Sequence, residues 1–179
     1  IEGTQLFDGK EQRFFHGRTG YILLGNSSVN SVAHSEKRTG QWRDFMQMYR
    51  PQPVEGEVVS LHIDHGVHPQ KATYQYLLLP SVSCEQFDLS SVKTLRNDEN
   101  AQIVFAADNY YIAAYQPLKI KLASGLSFEA VTPGVYMIMP SDKNYKVAYA
   151  DPTQQQSEAK AIIDKKEIHF SVASGKMDG

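Results

Sequence analysis

The 179-residue sequence has little of several features that define whole classes of proteins. It has one cysteine, Cys84, which excludes an internal disulfide and a cysteine-rich zinc site. Its longest apolar runs, such as residues 76–80 and 134–140, are far shorter than the roughly 18–20 residues of a membrane-spanning helix. The formal net charge is −2, so bulk electrostatics do not favour nucleic acid or an anionic membrane as a partner. We therefore predict no nucleic-acid partner and no membrane span.

What is present is typical of β structure. Ten Tyr and eight Phe suit half-buried pleated surfaces. In residues 118–122 apolar side chains alternate with Lys119 and Lys121, which places the two lysines on a solvated strand face. Turn residues separate the apolar runs and predict an all-β, antiparallel β-sandwich. The predicted strands are 14–15, 20–24, 57–63, 73–79, 101–106, 110–115, 118–122, 127–131, 135–139, 145–149 and 167–172.

Two segments have features of short helices. Residues 42–49 place Trp42, Phe45, Met46 and Tyr49 at helical spacing before Pro51. Residues 153–163 carry helix formers, although 160–163 are equally typical of a strand. The polar residues 81–91 separate two strand-rich halves, which predicts domains at 1–85 and 86–179. Residues 1–10 lack a signal-peptide pattern and the chain does not begin with Met, so we expect a piece of a longer protein.

The densest group of chemically capable side chains is His62, Asp64, His65 and His68. These residue types bind transition metals, but a strand places His62 and Asp64 on one face and His65 on the other. Gly66 and Pro69 indicate that the strand ends there, where Asp64 would accept hydrogen bonds from the backbone of the turn. A structural strand end is the favoured interpretation, with a metal or catalytic site or a ligand contact as the alternatives.

The other candidates for acid–base or nucleophilic chemistry are isolated. His16 and His34 lie near turn-forming sequence without a carboxylate at an informative spacing, and His169 alternates with apolar neighbours, so it should face solvent. Glu55 and Glu57 share a strand face, but two surface carboxylates are the simpler interpretation. Cys84 lacks an identifiable base, and residues 17–20 form a turn rather than a phosphate loop.

Aromatic side chains offer a different function, stacking on sugar rings. Core packing is their commoner use, although Tyr74 and Tyr76 share one strand face. The candidates are Trp42, Tyr74, Tyr76, Tyr110, Tyr111, Tyr115 and Tyr136.

The order of motifs along the chain resembles polysaccharide lyase family 8, the chondroitin, hyaluronan and xanthan lyases. Residues 62–66, Pro69 and residues 73–80 are similar to the family pattern IDHG…P…YxYxxLP. Residues 20–21 and 40–42 match its GY and GxW landmarks, and residues 95–103 with 114–117 resemble the chondroitin sulfate ABC lyase branch. The sequence departs from the family at His62 and at residues 46–49, where Met and Tyr replace a more polar segment.

The resemblance implies the end of a large β-sandwich region followed by a small C-terminal β-sandwich. The parent enzyme would cleave a uronate-containing glycosaminoglycan by β-elimination, with its catalytic residues on an α-helical toroid absent from this chain. We therefore expect no catalytic, cofactor or metal residue here; His65 and Tyr76 match β-region landmarks rather than the acid–base pair. The segment would support the substrate cleft, pack against the toroid and upstream β region, be inactive alone, and belong to a secreted or periplasmic enzyme.

Two alternatives stay open. A non-catalytic carbohydrate-binding module predicts an exposed row of aromatic side chains, at Tyr74 and Tyr76 or at Tyr110 and Tyr111, with lysines such as Lys119 and Lys121 serving an anionic ligand. A metal-dependent enzyme predicts that His62, Asp64, His65 and His68 converge on one ion.

Overall fold

The computed structural model describes residues 3–7, 12–24, 30–81, 87–122, 125–141 and 144–172; for 3–7, 12, 30 and 31 only the backbone is described. The chain divides into two compact units, Ile1–Phe87 and Asp88–Gly179. Both are built from antiparallel strands, which confirms the predicted all-β sandwich class. No described helix is long and apolar enough to cross a membrane.

The first unit contains two three-stranded sheets, β1-β4-β5 and β2-β3-β6. Side chains from both sheets meet in a small core around Phe14, Leu23 and Ala33, with Val59, Leu61 and Ile63 partly buried against it. A three-residue 3-10 helix, Trp42–Asp44, follows β4. The strands are β1 (Gly3–Phe7), β2 (Gln12–His16), β3 (Thr19–Leu23), β4 (Asn30–Gln41), β5 (Pro53–Asp64) and β6 (Tyr76–Pro80).

The second unit packs a five-stranded sheet, β13-β12-β9-β8-β7, and a four-stranded sheet, β10-β11-β14-β15, around one core. A second 3-10 helix, Leu89–Ser91, precedes its first strand and is capped by the Asp88 carboxylate, which accepts from Ser90 N at 2.8 Å. The strands are β7 (Val92–Asn97), β8 (Ala101–Ala106), β9 (Asn109–Ala114), β10 (Leu118–Lys121), β11 (Ser127–Ala130), β12 (Gly134–Pro140), β13 (Tyr145–Ala150), β14 (Glu158–Ile163) and β15 (Lys166–Ser171).

An aromatic cluster joins the two sheets of the second unit. Phe128 of β11 packs edge-on against Tyr136 of β12 with ring centroids 5.2 Å apart. Phe170 of β15 lies 5.4 Å from Tyr149 of β13, again across the sandwich. The Tyr136 hydroxyl donates to the Thr132 carbonyl, because a buried hydroxyl needs a partner.

The helix prediction for residues 42–49 is wrong beyond a single 3-10 turn, and that for residues 153–163 is wrong, whereas the strand alternative for residues 160–163 is confirmed. Residues 42–49 form only the 3-10 helix Trp42–Asp44 and turns, and none of the side chains in the expected apolar stripe is buried. Within residues 153–163, the second half is strand β14, in which Ala159, Ala161 and Ile163 alternate into the core. Packing against the opposite sheet overrides the helix propensity of alanine there.

Candidate functional site

The predicted histidine cluster lies at the end of β5. The strand ends at Asp64, whose Oδ1 accepts a hydrogen bond of 2.7 Å from Gly66 N. This confirms the expected carboxylate-stabilised turn. His62 and Asp64 are exposed, whereas His65 is half-buried, in keeping with the alternation of a strand. Within the described residues, no three His, Cys, Asp or Glu side chains converge to hold a metal ion, so the geometry does not support the metal-enzyme alternative.

His65 faces an aromatic row rather than a carboxylate. Its ring centroid lies 6.0 Å from that of Tyr74, and Tyr74 is stacked nearly parallel to Tyr76 at 6.1 Å. The His65 Nδ1 atom is buried and makes no hydrogen bond within the described structure. A general base must reach the proton that it abstracts, so this nitrogen is not placed to act on a substrate in the observed conformation.

The aromatic candidates divide into two groups. Tyr110 and Tyr136 are core residues with 2% and 0% of their surfaces exposed, so a Tyr110–Tyr111 sugar platform is excluded. The remaining five are open to solvent, with exposed fractions of 62% for Trp42, 58% for Tyr74, 47% for Tyr76, 40% for Tyr111 and 55% for Tyr115. Sequence alone could not separate these groups, because burial depends on which strand faces the opposite sheet.

His34 has a carboxylate neighbour that the sequence analysis did not identify. On β4, His34 Nε2 lies 3.7 Å from Glu36 Oε2, and the same carboxylate binds Arg38. The hydrogen bond from Arg38 is the main reason that the pKa of Glu36 lies below its usual value. The i, i+2 spacing of these residues on a strand was the available signal. His34, Glu36 and Arg38 form a surface ion network in which Arg38 already neutralises the Glu36 carboxylate.

The Glu55 and Glu57 pair does not form an acid–base site. Glu57 Oε1 accepts a 2.6 Å hydrogen bond from the hydroxyl of the buried Ser35, which lowers the pKa of Glu57. Glu55 is exposed opposite Thr39 in the β4–β5 ladder. The Glu57 carboxylate is therefore occupied by a structural hydrogen bond within the first unit.

The remaining predicted positions are surface features. His169 is 71% exposed at its side chain and lies 3.5 Å from Glu167, so its predicted solvent-facing position is confirmed. Lys119 is 78% exposed and pairs with Glu129 at 2.9 Å, which confirms the solvated face of β10. His16 is half-buried in β2, and Gly17 with Arg18 forms the predicted turn before β3. Cys84 and residues 82–86 of the predicted seam lie outside the described residues.

These features define a class: a chain of two antiparallel β-sandwich units, with exposed aromatic side chains on the first. Two family models match it in succession. Residues 2–91 match the super-sandwich domain of polysaccharide lyase family 8, and residues 93–160 match the C-terminal β-sandwich domain of the same family. The chain belongs to polysaccharide lyase family 8.

Two curated relatives carry lyase names. Chondroitinase-AC from Pedobacter heparinus is 25% identical over 150 residues, which cover 80% of this chain and 21% of that protein. Hyaluronate lyase from Thermasporomyces composti is 25% identical over 165 residues, covering 87% of this chain and 20% of that protein. This chain therefore spans about a fifth of the length of these relatives. Neither is an ABC lyase, and the branch stays a prediction.

Solved structures share the fold. A chondroitinase AC lyase studied as oligosaccharide complexes superposes with a TM-score of 0.78 at 22% identity, covering 97% of this chain and 27% of that one. A Streptomyces coelicolor A3 chondroitin AC lyase, in complex with chondroitin sulphate, gives a TM-score of 0.63 at 18% identity, covering 87% of this chain and 22% of that one. Both similarities extend across the two units.

Proposed function

We propose that this chain is the β-sandwich portion of a glycosaminoglycan lyase and that it contributes support rather than catalysis. The observation that carries the proposal is the succession of two family matches, super-sandwich then C-terminal sandwich, within a chain that spans about a fifth of its relatives. The parent would cleave uronate-containing polysaccharide by β-elimination, and the domains would be 1–85 and 86–179.

The chemistry of the described residues supports a non-catalytic role. β-Elimination needs a base that reaches the uronate C5 proton and a group that neutralises the carboxylate. The closest aromatic–histidine pair, Tyr74 and His65, is 6.0 Å apart between ring centroids, and the Nδ1 atom of His65 is buried. Two histidine–carboxylate pairs lie within the described residues, His34 with Glu36 and His169 with Glu167. Each carboxylate also binds a cation, Arg38 or Lys160 respectively, so neither is a free acid–base group.

An elimination assay tests this proposal. Purified 179-residue protein is mixed with chondroitin sulfate, and the ultraviolet absorbance of the unsaturated uronate product is followed, with the Pedobacter heparinus chondroitinase-AC as positive control. We expect no product from this chain. Product formation that disappears in a His65→Ala variant would place catalysis in this segment and overturn the supporting role.

We also propose that the first unit packs against the toroid and upstream β region of the parent. Its described core is small, and Tyr76 and Leu78 at one sheet edge stay 47% and 51% exposed. Large apolar groups at an unpaired edge are typical of a surface that another element covers. Adding the upstream portion of the parent should protect the β6 amides from hydrogen exchange; unchanged exchange would contradict this packing.

We propose a secreted or periplasmic location, because a polysaccharide chain does not cross a membrane unaided. Fractionation of the source cells with an antibody to this chain tests it, and recovery from the cytoplasm would contradict it.

A stand-alone carbohydrate-binding module is the second candidate. The specific observation is the exposed pair Tyr74 and Tyr76, whose rings are inclined by 7°. Parallel exposed tyrosines suit stacking on the C–H faces of pyranose rings. This candidate predicts that Tyr74→Ala with Tyr76→Ala abolishes saccharide binding, whereas Tyr111→Ala with Tyr115→Ala leaves it unchanged.

A further inference from the structure

The connection between β4 and β5 carries a concentrated exposed aromatic and thioether surface. We call residues 42–50 the ribbon tip. Within it, Phe45 is 83% exposed, Met48 80% and Trp42 62%, and Met46 and Tyr49 are about half exposed. Single exposed apolar residues are ordinary, but five large ones within eight positions form a patch of the kind that marks a binding surface.

The β4–β5 ribbon holds this tip away from the rest of its sheet. Within the described residues, the β1–β4 pairing reaches Ser35, whereas β4 and β5 stay paired for six further positions, from Glu36–Val58 to Gln41–Pro53. Six residues of strand extend about 20 Å. Every described side chain from residue 42 to residue 58 is exposed.

The backbone of the ribbon tip is organised by its own hydrogen bonds. Phe45 N and Met46 N both donate to the Trp42 carbonyl, at 3.1 and 3.0 Å, and Tyr49 N donates to the Met46 carbonyl at 3.1 Å. Because these backbone hydrogen bonds hold the turn, the apolar side chains are not needed to form a core. Their backbone is already ordered while the side chains stay exposed, which reduces the conformational entropy lost on binding a ligand.

The ribbon tip itself carries an excess of positive charge. It contains the two arginines Arg43 and Arg50 and one carboxylate, Asp44. Along the paired strands below it, Lys37 and Arg38 are balanced by Glu36, Glu55 and Glu57. Arg38 is committed to Glu36. Arg43 and Arg50 make no side-chain hydrogen bond or ion pair within the described structure, so their guanidinium groups are available at both ends of the apolar patch.

We propose that the ribbon tip is a binding site for a polyanionic saccharide. Trp42 and Phe45 would stack on the C–H faces of the sugar rings, while Arg43 and Arg50 would bind carboxylate or sulfate groups through paired N–H donors. The ligand class rests on the proposed function, and the site itself rests on exposure and charge. An anionic membrane or a protein would use similar residues, but the membership of a polysaccharide lyase family favours the saccharide.

Binding titrations with defined polymers test this site. The 179-residue protein is titrated calorimetrically with chondroitin sulfate at low salt, with dextran as the uncharged polysaccharide. We expect binding to chondroitin sulfate alone, and about tenfold weaker binding both for Trp42→Ala and for the double variant Arg43→Gln/Arg50→Gln. Because all these side chains are exposed, the thermal unfolding temperature should stay unchanged.

Matched variants elsewhere serve as controls. Lys93→Gln/Lys146→Gln removes the same charge from exposed positions of the second unit, and Tyr115→Ala removes a comparably exposed aromatic ring. Both should bind like the unmodified protein. The proposal is overturned by absent binding, by equal losses in the control variants, or by a loss confined to Tyr74→Ala/Tyr76→Ala. Equally tight binding to duplex DNA or to anionic phosphatidylserine vesicles overturns the saccharide assignment.

The outcome is independent of the elimination assay. If this chain proved catalytic, the proposed supporting role would be wrong, but the binding titrations would still test the ribbon-tip site. If the chain is inactive and the Trp42→Ala variant binds normally, the supporting role stands and the ribbon-tip site fails.

Discussion

The ring of Tyr149 covers Gly134 across neighbouring strands of the second unit. A Cβ atom added at position 134 would lie 2.8 Å from both Cζ and the hydroxyl oxygen of Tyr149, and the backbone φ there is +151°. The Tyr149 hydroxyl donates to the Pro133 carbonyl at 2.9 Å, which fixes the ring in that place. β12 therefore needs glycine where it enters the sheet.

Gly134→Ala should lower the free energy of unfolding by about 2 kcal/mol, because the ring must move and the backbone conformation is strained. Urea unfolding measures the change. Gly56→Ala is the control, since nothing lies within 4 Å of a Cβ added in that strand. The Gly134→Ala/Tyr149→Ala double variant should lose less unfolding free energy than the two single variants lose together. A loss equal to that sum would contradict the clash.

Tyr136→Phe should destabilise the second unit by about 2 kcal/mol. The buried hydroxyl donates to the Thr132 carbonyl, and its removal leaves that acceptor without this bond. Tyr111→Phe, at a ring that is 40% exposed, is the control and should change little. Equal stabilities of the two variants in urea would show that the Tyr136 hydroxyl is not needed.

The same hydroxyl predicts sensitivity to alkali. Burial raises the pKa of Tyr136 above its ordinary value of 10.0, because ionisation inside the core is unfavourable. The stability from the neutral hydroxyl is complete below pH 10 and falls as the pH rises above it. Unfolding midpoints measured up to pH 11 should therefore decline less steeply for Tyr136→Phe than for the unmodified protein.

Asp151 makes the turn after β13 sensitive to acid. Its carboxylate accepts hydrogen bonds from the Thr153 hydroxyl at 2.6 Å and from the backbone N–H groups of Thr153, Gln155 and Gln156 at 2.8–2.9 Å. The Thr153 hydroxyl, followed by these amides, lowers the pKa of Asp151 from 3.8 to about 2. These hydrogen bonds stabilise the fold fully at a pH above the unfolded-state pKa of Asp151, and their contribution is lost as the pH falls toward 2.

Asp151→Asn should be less stable than the unmodified protein at pH 7, and the difference should narrow as the pH falls from 4 toward 2. Thermal unfolding across this range measures it. Glu99→Gln, at an exposed carboxylate, is the control. Its stability difference from the unmodified protein should not narrow in this way as the pH falls. A constant Asp151→Asn difference at every pH would refute the electrostatic origin.

The two units should exchange their amide hydrogens at different rates. Among the described residues, thirteen are buried in the shared core of the second unit, and three in that of the first. Each fully buried large apolar side chain contributes about 1.5–3 kcal/mol, so the smaller core opens more readily. Mass spectrometry should find β9 and β12 exchanging more slowly than β3 and β5; the reverse order would contradict this reasoning.

The sequence predicted the strands whose inward and outward residues differ in polarity. Leu118 and Lys119 are the clear case, since one is buried and its neighbour faces solvent. β4 was missed because most of its residues are polar, and its pairing with β5 rather than its own pattern makes it a strand. The hairpin turn at Asp164 and Lys165 was also missed. Both residues have positive φ, but neither is glycine, the usual sequence signal of such a turn.

The site was less predictable than the fold. The turn at Asp64 followed from local sequence, because a strand-ending carboxylate reaches the amide two residues ahead. The exposure of Trp42 and Phe45 did not, since their helical spacing is the usual signature of a buried stripe. Local spacing does not reveal that a ribbon carries these residues away from the core of the first unit.

β5 ends its sheet in the described part of the chain, and this open edge affects how the protein is handled. Val54 and Val58 are exposed beside backbone groups that another strand could pair with. Glu55 and Glu57 act as gatekeepers against self-association, since like charges repel when two such edges approach. The hydrogen bond from Ser35 keeps Glu57 charged at a pH that protonates ordinary glutamates. Adding salt at neutral pH should therefore increase light scattering by this protein, because screening weakens the repulsion between two such edges.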